Sequence, residues 1–237
     1  ALADLAERHG LWYHIDGAFG ALARLAPDVG QKLKGMERAD SLAFDLHKWF
    51  YLPFEIGCVL VRDAETHRRT FSAHPDYLEK ADRGLAAGEI WFGDYGIQLT
   101  RSFRALKAWM AFQTYGVDQV GRIIGQNMRQ AADLGTEVDS RPNLELLAPV
   151  DLNVVCFRFV DPAIDPGQLN PFNEELLIRL QESGAAVPSS TVLEQRFALR
   201  CAITNHRSRD EDFDLLLNAV EAIGREMLDE GWQPSDE

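Results

Sequence analysis

A chain of 237 residues is long enough for one or two domains that bury most of the surface exposed when unfolded. Its 46% hydrophobic and 26% charged residues are those of an ordinary globular protein, and no run of about 18 apolar residues offers a membrane span. The net charge of −13 argues against nucleic acid and anionic membrane surfaces as partners, since both demand clustered basic residues.

Taken in order, Ala1 to Gly10 places Leu2, Leu5 and Ala6 on one helical face and stops at Gly10. The helix has no N-cap, and no initiator Met or signal-peptide pattern precedes it, so the expectation is a chain that begins within a fold. Tyr13 to Asp16 reads as a short strand ending on a carboxylate, followed by the small residues Gly17, Ala18 and Gly20. Leu22 to Arg38, interrupted by Pro27 and Gly30, reads as a loop-rich crossover without a long helix. Ser41 to Phe44 is the next strand and runs into Asp45, His47 and Lys48. Ile56 to Val61 is strongly β-prone and suits an antiparallel or edge partner.

From Asp63 to Gly93 the pattern loosens into loop and short turns, the kind of long irregular stretch that is usually functional or mobile. Ile97 to Tyr115 is expected to be helical, with a basic face of Arg101, Arg104 and Lys107. That face is either a solvated stripe or a helix start turned toward a phosphate. A second helix is expected over Val117 to Val138. Strands at Leu144 to Leu147, Asn153 to Val160 and Phe197 to Thr204 then alternate with helices at Asn173 to Ser183 and Asp210 to Leu228, with Asp210 as an N-cap. These features divide the chain at Tyr115–Gly116 into residues 1–115 and a small α+β domain of residues 116–237, with a frayed tail from Gly231. Cys58, Cys156 and Cys201 read as buried, reduced thiols of a cytosolic protein.

Lys48 sits among Trp49, Phe50, Tyr51 and Leu52. It is either a snorkelling surface lysine or an amine poised to form a Schiff base with a carbonyl. The distance in sequence from Asp16 to Lys48 suits one strand–crossover–strand unit, roughly 30 residues or more. In a parallel sheet such a unit delivers both groups to the edge where ligands bind in open α/β folds. A carboxylate and an amine there match the needs of pyridoxal phosphate: the lysine forms the imine and the carboxylate keeps the pyridine nitrogen protonated.

The segments HIDGAFG (14–20) and DLHKW (45–49) resemble the group II pyridoxal-phosphate decarboxylases, which act on aromatic amino acids, glutamate or cysteine sulfinate. The similarity continues through Pro75 to Leu78, Leu99 to Lys107 and Asn153 to Arg158, so it covers nearly the whole chain in the right order. The resemblance implies an α/β, fold-type I architecture: the second half of the large mixed-sheet domain followed by the small C-terminal domain. It implies Lys48, Tyr77 and His47 as catalytic residues, and Asp16, Ala18, His47, Lys48 and Thr100 around pyridoxal 5'-phosphate. Tyr77, on a catalytic loop, would reprotonate the substrate carbon; family members with phenylalanine there tend toward aldehyde. By spacing alone Tyr77 would be a surface aromatic. Leu99 and Thr100 would approach the cofactor phosphate of the second subunit of a cytoplasmic homodimer. Asp45 stands where the family often has asparagine, and a carboxylate there repels phosphate unless otherwise paired; it is not assigned to the site.

The implied reaction is decarboxylation of an L-amino acid, with an aromatic one favoured by Trp91 and Phe103. A class V aminotransferase or desulfurase also places an Asp upstream of His-Lys, but typically continues with small residues rather than Trp49-Phe50-Tyr51. The third reading is a binding module or inactive fragment, because the ring-stacking residue and main phosphate loop lie upstream in the family. No histidine has zinc-ligand spacing, so no metal is expected. No G-x-S-x-G, G-x-G-x-x-G or Walker pattern occurs.

Overall fold

A computed structural model describes residues 1–27, 29, 32–72, 83–84, 87–88 and 91–233. Two compact units emerge, Ala1–Leu22 with Leu33–Gly116, and Ala23–Lys32 with Val117–Glu237. The early part of the loop-rich crossover, Ala23–Lys32, thus groups with the second unit. Close approach explains this: a Cβ at Gly121 would meet the Leu25 carbonyl oxygen at 2.1 Å.

In the first unit, helix α1 (Leu2–His9) buries Ala3 and Ala6 and ends at Gly10, whose φ of 60° lets its N–H reach back to the last turn. Strand β1 (His14–Asp16) pairs in parallel with β2 (Ser41–Asp45), and β3 (Gly57–Val61) joins β2 antiparallel. Among the described residues between β1 and β2 the chain makes two 3₁₀ turns, Ala21–Leu25 and Met36–Arg38. The start of β2 is tied down by the buried Ser41 hydroxyl, which accepts from Trp12 Nε1 at 2.8 Å and lies 2.7 Å from His14 Nδ1. Cys58, expected to be buried, is half-exposed because β3 has no partner on its other side among the described residues.

Two further expectations in this unit need correction. The stretch after Asp63 opens with a true helix, α2 (Ala64–Phe71), because the Asp63 carboxylate caps it by accepting from the Thr66 N–H at 2.6 Å. The next helix, α3 (Arg104–Tyr115), starts seven residues later than Ile97 (104 − 97). Residues 97–103 stay irregular, with Arg101 Nη2 donating to the Phe92 carbonyl at 2.6 Å. The motif Pro75 to Leu78 and the tail beyond Gln233 lie outside the described residues.

In the second unit α4 (Val117–Ser140), α5 (Leu169–Glu182) and α6 (Asp210–Asp229) cover one face of an antiparallel sheet. Its strands are β4 (Leu144–Leu146), β5 (Val154–Phe159), β6 (Ser189–Leu193) and β7 (Arg196–Ala202), in the order β4-β5-β7-β6. Alternation places Val155, Phe157, Phe159, Leu199 and Cys201 in the core with Leu134, Leu176, Leu217 and Met227. Burial there pushes the Cys201 thiol up to about 12. Strand β6 was not anticipated; it pairs with β7 across a tight turn in which Glu194 and Gln195 take positive φ. Asp210 is the first helical residue of α6 rather than its cap; the Arg209 N–H is satisfied instead by Asp212 Oδ2 at 2.9 Å. Helix α5 begins four residues before Asn173 (173 − 169), and the buried Asn173 amide bonds both the N–H and the carbonyl of Phe159.

Two glycine-to-alanine substitutions should separate packing from helix propensity here. A Cβ at Gly224 would meet the buried Phe159 ring at 2.5 Å, whereas one at Gly125 would find only ordinary contacts from 3.5 Å. Gly224→Ala is expected to lower unfolding stability by about 1–3 kcal/mol. Gly125→Ala is expected to leave it unchanged or raise it by up to about 1 kcal/mol. Urea midpoints of the two variants check both signs.

Candidate functional site

The carboxyl ends of β1 and β2 lie side by side, with Asp16 opposite Ala43 in the parallel register. Immediately beyond, Gly17 donates to the Ala43 carbonyl at 2.8 Å. Its hydrogen matters sterically: a Cβ would come within 2.4 Å of the Ala21 Cβ and 2.9 Å of the Ala43 oxygen. Glycine is therefore what lets the chain turn away directly after the carboxylate. Asp16 is solvent-facing, and its Oδ1 accepts from the Ala18 N–H at 3.1 Å. Its Oδ2 has no partner among the described residues.

After β2 the chain tightens into a turn over residues 46–50. Leu46, Trp49 and Phe50 point inward and are buried; Trp49 stacks on Phe19 and Phe50 packs on Phe112. These apolar anchors leave His47 and Lys48 on the open side. Tyr51 takes a positive φ of 60°, an uncommon setting for a bulky residue, and burial pushes its phenol up although Trp49 bonds to it.

Lys48 does not stand alone. Its Nζ lies 2.7 Å from Asp45 Oδ2, three residues back at the end of β2. The same oxygen is 3.9 Å from His47 Nε2. His47 Nδ1 sits between the Ile56 carbonyl at 2.9 Å and the Ile56 N–H at 3.1 Å. A protonated Nδ1 donates to the first and a bare one accepts from the second, so the ring is held in place in either tautomer. Phe54 closes edge-on over it at 4.6 Å. The pairing of Asp45 was not anticipated from the sequence, although a carboxylate three residues before a lysine in a turn was a visible signal.

Asp16, Ala18, His47 and Lys48 thus follow adjacent, parallel strand ends. Thr100 is exposed on the irregular run before α3, not at a helix start. Tyr77 lies outside the described residues. Two members of the basic face of α3 are half-buried and already engaged at the surface. Arg104 Nε bonds Glu55 Oε1 at 3.1 Å and holds that carboxyl below its ordinary range, and Lys107 Nζ donates to the Pro53 carbonyl at 2.8 Å. Both side chains brace the loop 53–55 that follows the lysine turn. Among the described residues no group of three His, Cys, Asp or Glu is placed to hold a metal ion, and no helix is long and apolar enough to cross a membrane.

A Gly17→Ala variant is expected to lose about 1–3 kcal/mol of stability, because strand edge and turn cannot both keep their positions. Thermal unfolding measures the loss, with an unchanged midpoint as the contrary result.

Comparison with known proteins gives a consistent answer. Residues 1–160 match the family model described as the pyridoxal-dependent decarboxylase conserved domain. The chain is 32% identical to an aromatic-L-amino-acid decarboxylase of Bacillus atrophaeus over 227 residues, covering 95% of this chain and 47% of the relative. It is 33% identical to a phenylacetaldehyde synthase of Arabidopsis thaliana, covering 86% of this chain and 41% of the relative. The crystal structure of Oryza sativa TDC with PLP and tryptamine superposes with a TM-score of 0.86 at 28% identity, covering 95% of this chain and 47% of that one. The chain spans about half the length of the curated relatives it matches. The architecture is fold-type I, as in these decarboxylases.

Proposed function

The chain belongs to the pyridoxal-dependent decarboxylase family, and from that we propose that it carries the cofactor-anchoring lysine of an amino-acid decarboxylase acting on an aromatic L-amino acid. The observation that carries this reading is the parallel pairing of β1 with β2, which brings the ends bearing Asp16 and Lys48 to one edge. The donor set fits pyridoxal phosphate: an amine, and a solvent-facing carboxylate with one oxygen already fixed by a backbone N–H. Lys48 would hold the aldehyde carbon, Asp16 the protonated ring nitrogen, and Ala18 the ring, with Thr100 near the phosphate of the second subunit of a cytoplasmic homodimer.

When bound, the cofactor supplies a ring that takes up the electron pair left by the departing carboxyl group. Asp16 would present its carboxylate to the ring nitrogen, with the Ala18 N–H fixing its orientation. His47, immobilised by Ile56 and Phe54, presents Nε2 as a fixed polar group that orients the substrate. Tyr77 would deliver the proton to the substrate carbon from a closing loop that also excludes water. Turnover belongs to a protein that carries these residues together with the rest of the relatives' length; residues 1–237 by themselves are expected to be inactive.

The assignment of Lys48 is tested by treating that protein with pyridoxal phosphate and borohydride and mapping peptides. A pyridoxyl group on Lys48 is the expected outcome, and labelling of Lys32, Lys34 or Lys107 instead would reject it.

The relatives include both decarboxylases and phenylacetaldehyde synthases, and Tyr77 bears on which outcome applies. Tyr77→Phe is expected to preserve carbon dioxide release while amine yield falls and aldehyde appears. Amine formed by the variant at the normal rate would remove Tyr77 from the mechanism.

A further inference from the structure

The Asp45 carboxylate sits at the centre of the lysine turn. One oxygen, Oδ2, is 2.7 Å from Lys48 Nζ and 3.9 Å from His47 Nε2. The other, Oδ1, faces Gly57, its cross-strand partner on β3, where a Cβ would stand only 3.0 Å away. Register and backbone hold this arrangement from three sides: Asp45 pairs with Gly57, Leu46 N–H donates to the Ile56 carbonyl at 3.0 Å, and Lys48 N–H reaches the Asp45 carbonyl at 3.3 Å. The carboxylate is therefore fixed by the sheet, whereas the lysine side chain that meets it is flexible and 40% exposed.

We propose that Asp45 is a positioning residue that latches Lys48: the ion pair stations Nζ above the turn and must open before the amine can meet a carbonyl. The proposal rests on the reading of Lys48 as the cofactor lysine, but the ion pair itself can be tested separately from that reading. An amine engaged as a donor to a carboxylate is not available as a nucleophile, so capture of any aldehyde is gated by the open fraction of the pair. The flexible stem of Lys48 and the rigid seat of Asp45 assign the motion to the lysine. Gly57 belongs to the device, since any side chain there would press on the carboxylate.

The test is competitive reductive methylation of the protein with formaldehyde and borohydride, without cofactor, reading each lysine by peptide mass spectrometry. Asp45→Asn is expected to raise the labelling rate of Lys48 relative to Lys34 by about three- to fivefold, the range for opening a partly exposed ion pair. Gly57→Ala, which keeps the charge but displaces it, is expected to shift Lys48 the same way by a smaller factor. Asp45→Glu should return labelling toward the wild-type rate, which general loosening of the fold would not do. Unchanged Lys48 labelling in both Asp45→Asn and Gly57→Ala overturns the latch, as does an equal rise at Lys34 and Lys48. Pyridoxal phosphate with borohydride is the parallel arm: if it leaves Lys48 unlabelled in wild type while formaldehyde still responds to Asp45, the cofactor assignment fails and the latch stands.

Discussion

The parallel contact between β1 and β2 is the constraint on which the first unit depends. Two parallel strands cannot be joined by a hairpin, so the chain must leave β1, cross over and return in the same direction. Here the crossover has no α-helix of its own among the described residues, and the pairing is secured at its ends. Ser41 takes up Trp12 and His14 at the start, and Gly17 gives its N–H to Ala43 at the finish. Because direction is shared, whatever follows each strand emerges at the same edge. That is how a carboxylate and an amine far apart in sequence come to lie at or just beyond neighbouring strand ends on one sheet edge.

The turn that carries Lys48 is stable because its inward residues are apolar and its outward ones are not. Leu46, Trp49 and Phe50 bury their side chains, and full burial of such groups contributes about 1.5–3 kcal/mol each. Polar neighbours then have only the open side to occupy. His47 is pinned by Ile56 and capped by Phe54, while Lys48 is held by Asp45 alone among the described residues. The histidine is thus held on two sides and the lysine by one ion pair, a contrast that agrees with the separate roles proposed for them.

The second unit follows a different logic. Its helices and sheet enclose a large apolar core, and the few buried polar groups act as connectors. Asn173 satisfies both backbone groups of Phe159 where the β5 strand ends, and Asn127 and Gln130 on α4 bind the carbonyls of Asn205 and Ser208 ahead of α6. Each amide replaces the water its backbone partners would lose, so burial there costs little.

Much of this was legible in the sequence. The strand ending at Asp16, the strand entering Lys48, the antiparallel run at Gly57–Val61 and the long helix α4 all follow from local alternation, apolar periodicity and turn residues, which act over a few positions. The family resemblance likewise rests on short motifs in order. What required the tertiary structure was the choice of partner. Arg104 and Lys107 read as a solvated or phosphate-facing stripe, yet they reach Glu55 and Pro53, some fifty positions away. Asp45 read as an ill-placed carboxylate until the turn set Lys48 against it, and β6 was invisible until β7 offered it a ladder. Periodicity determines which face of an element is buried; a long flexible cation or an edge strand finds its partner only where the chain's distant parts have been brought together.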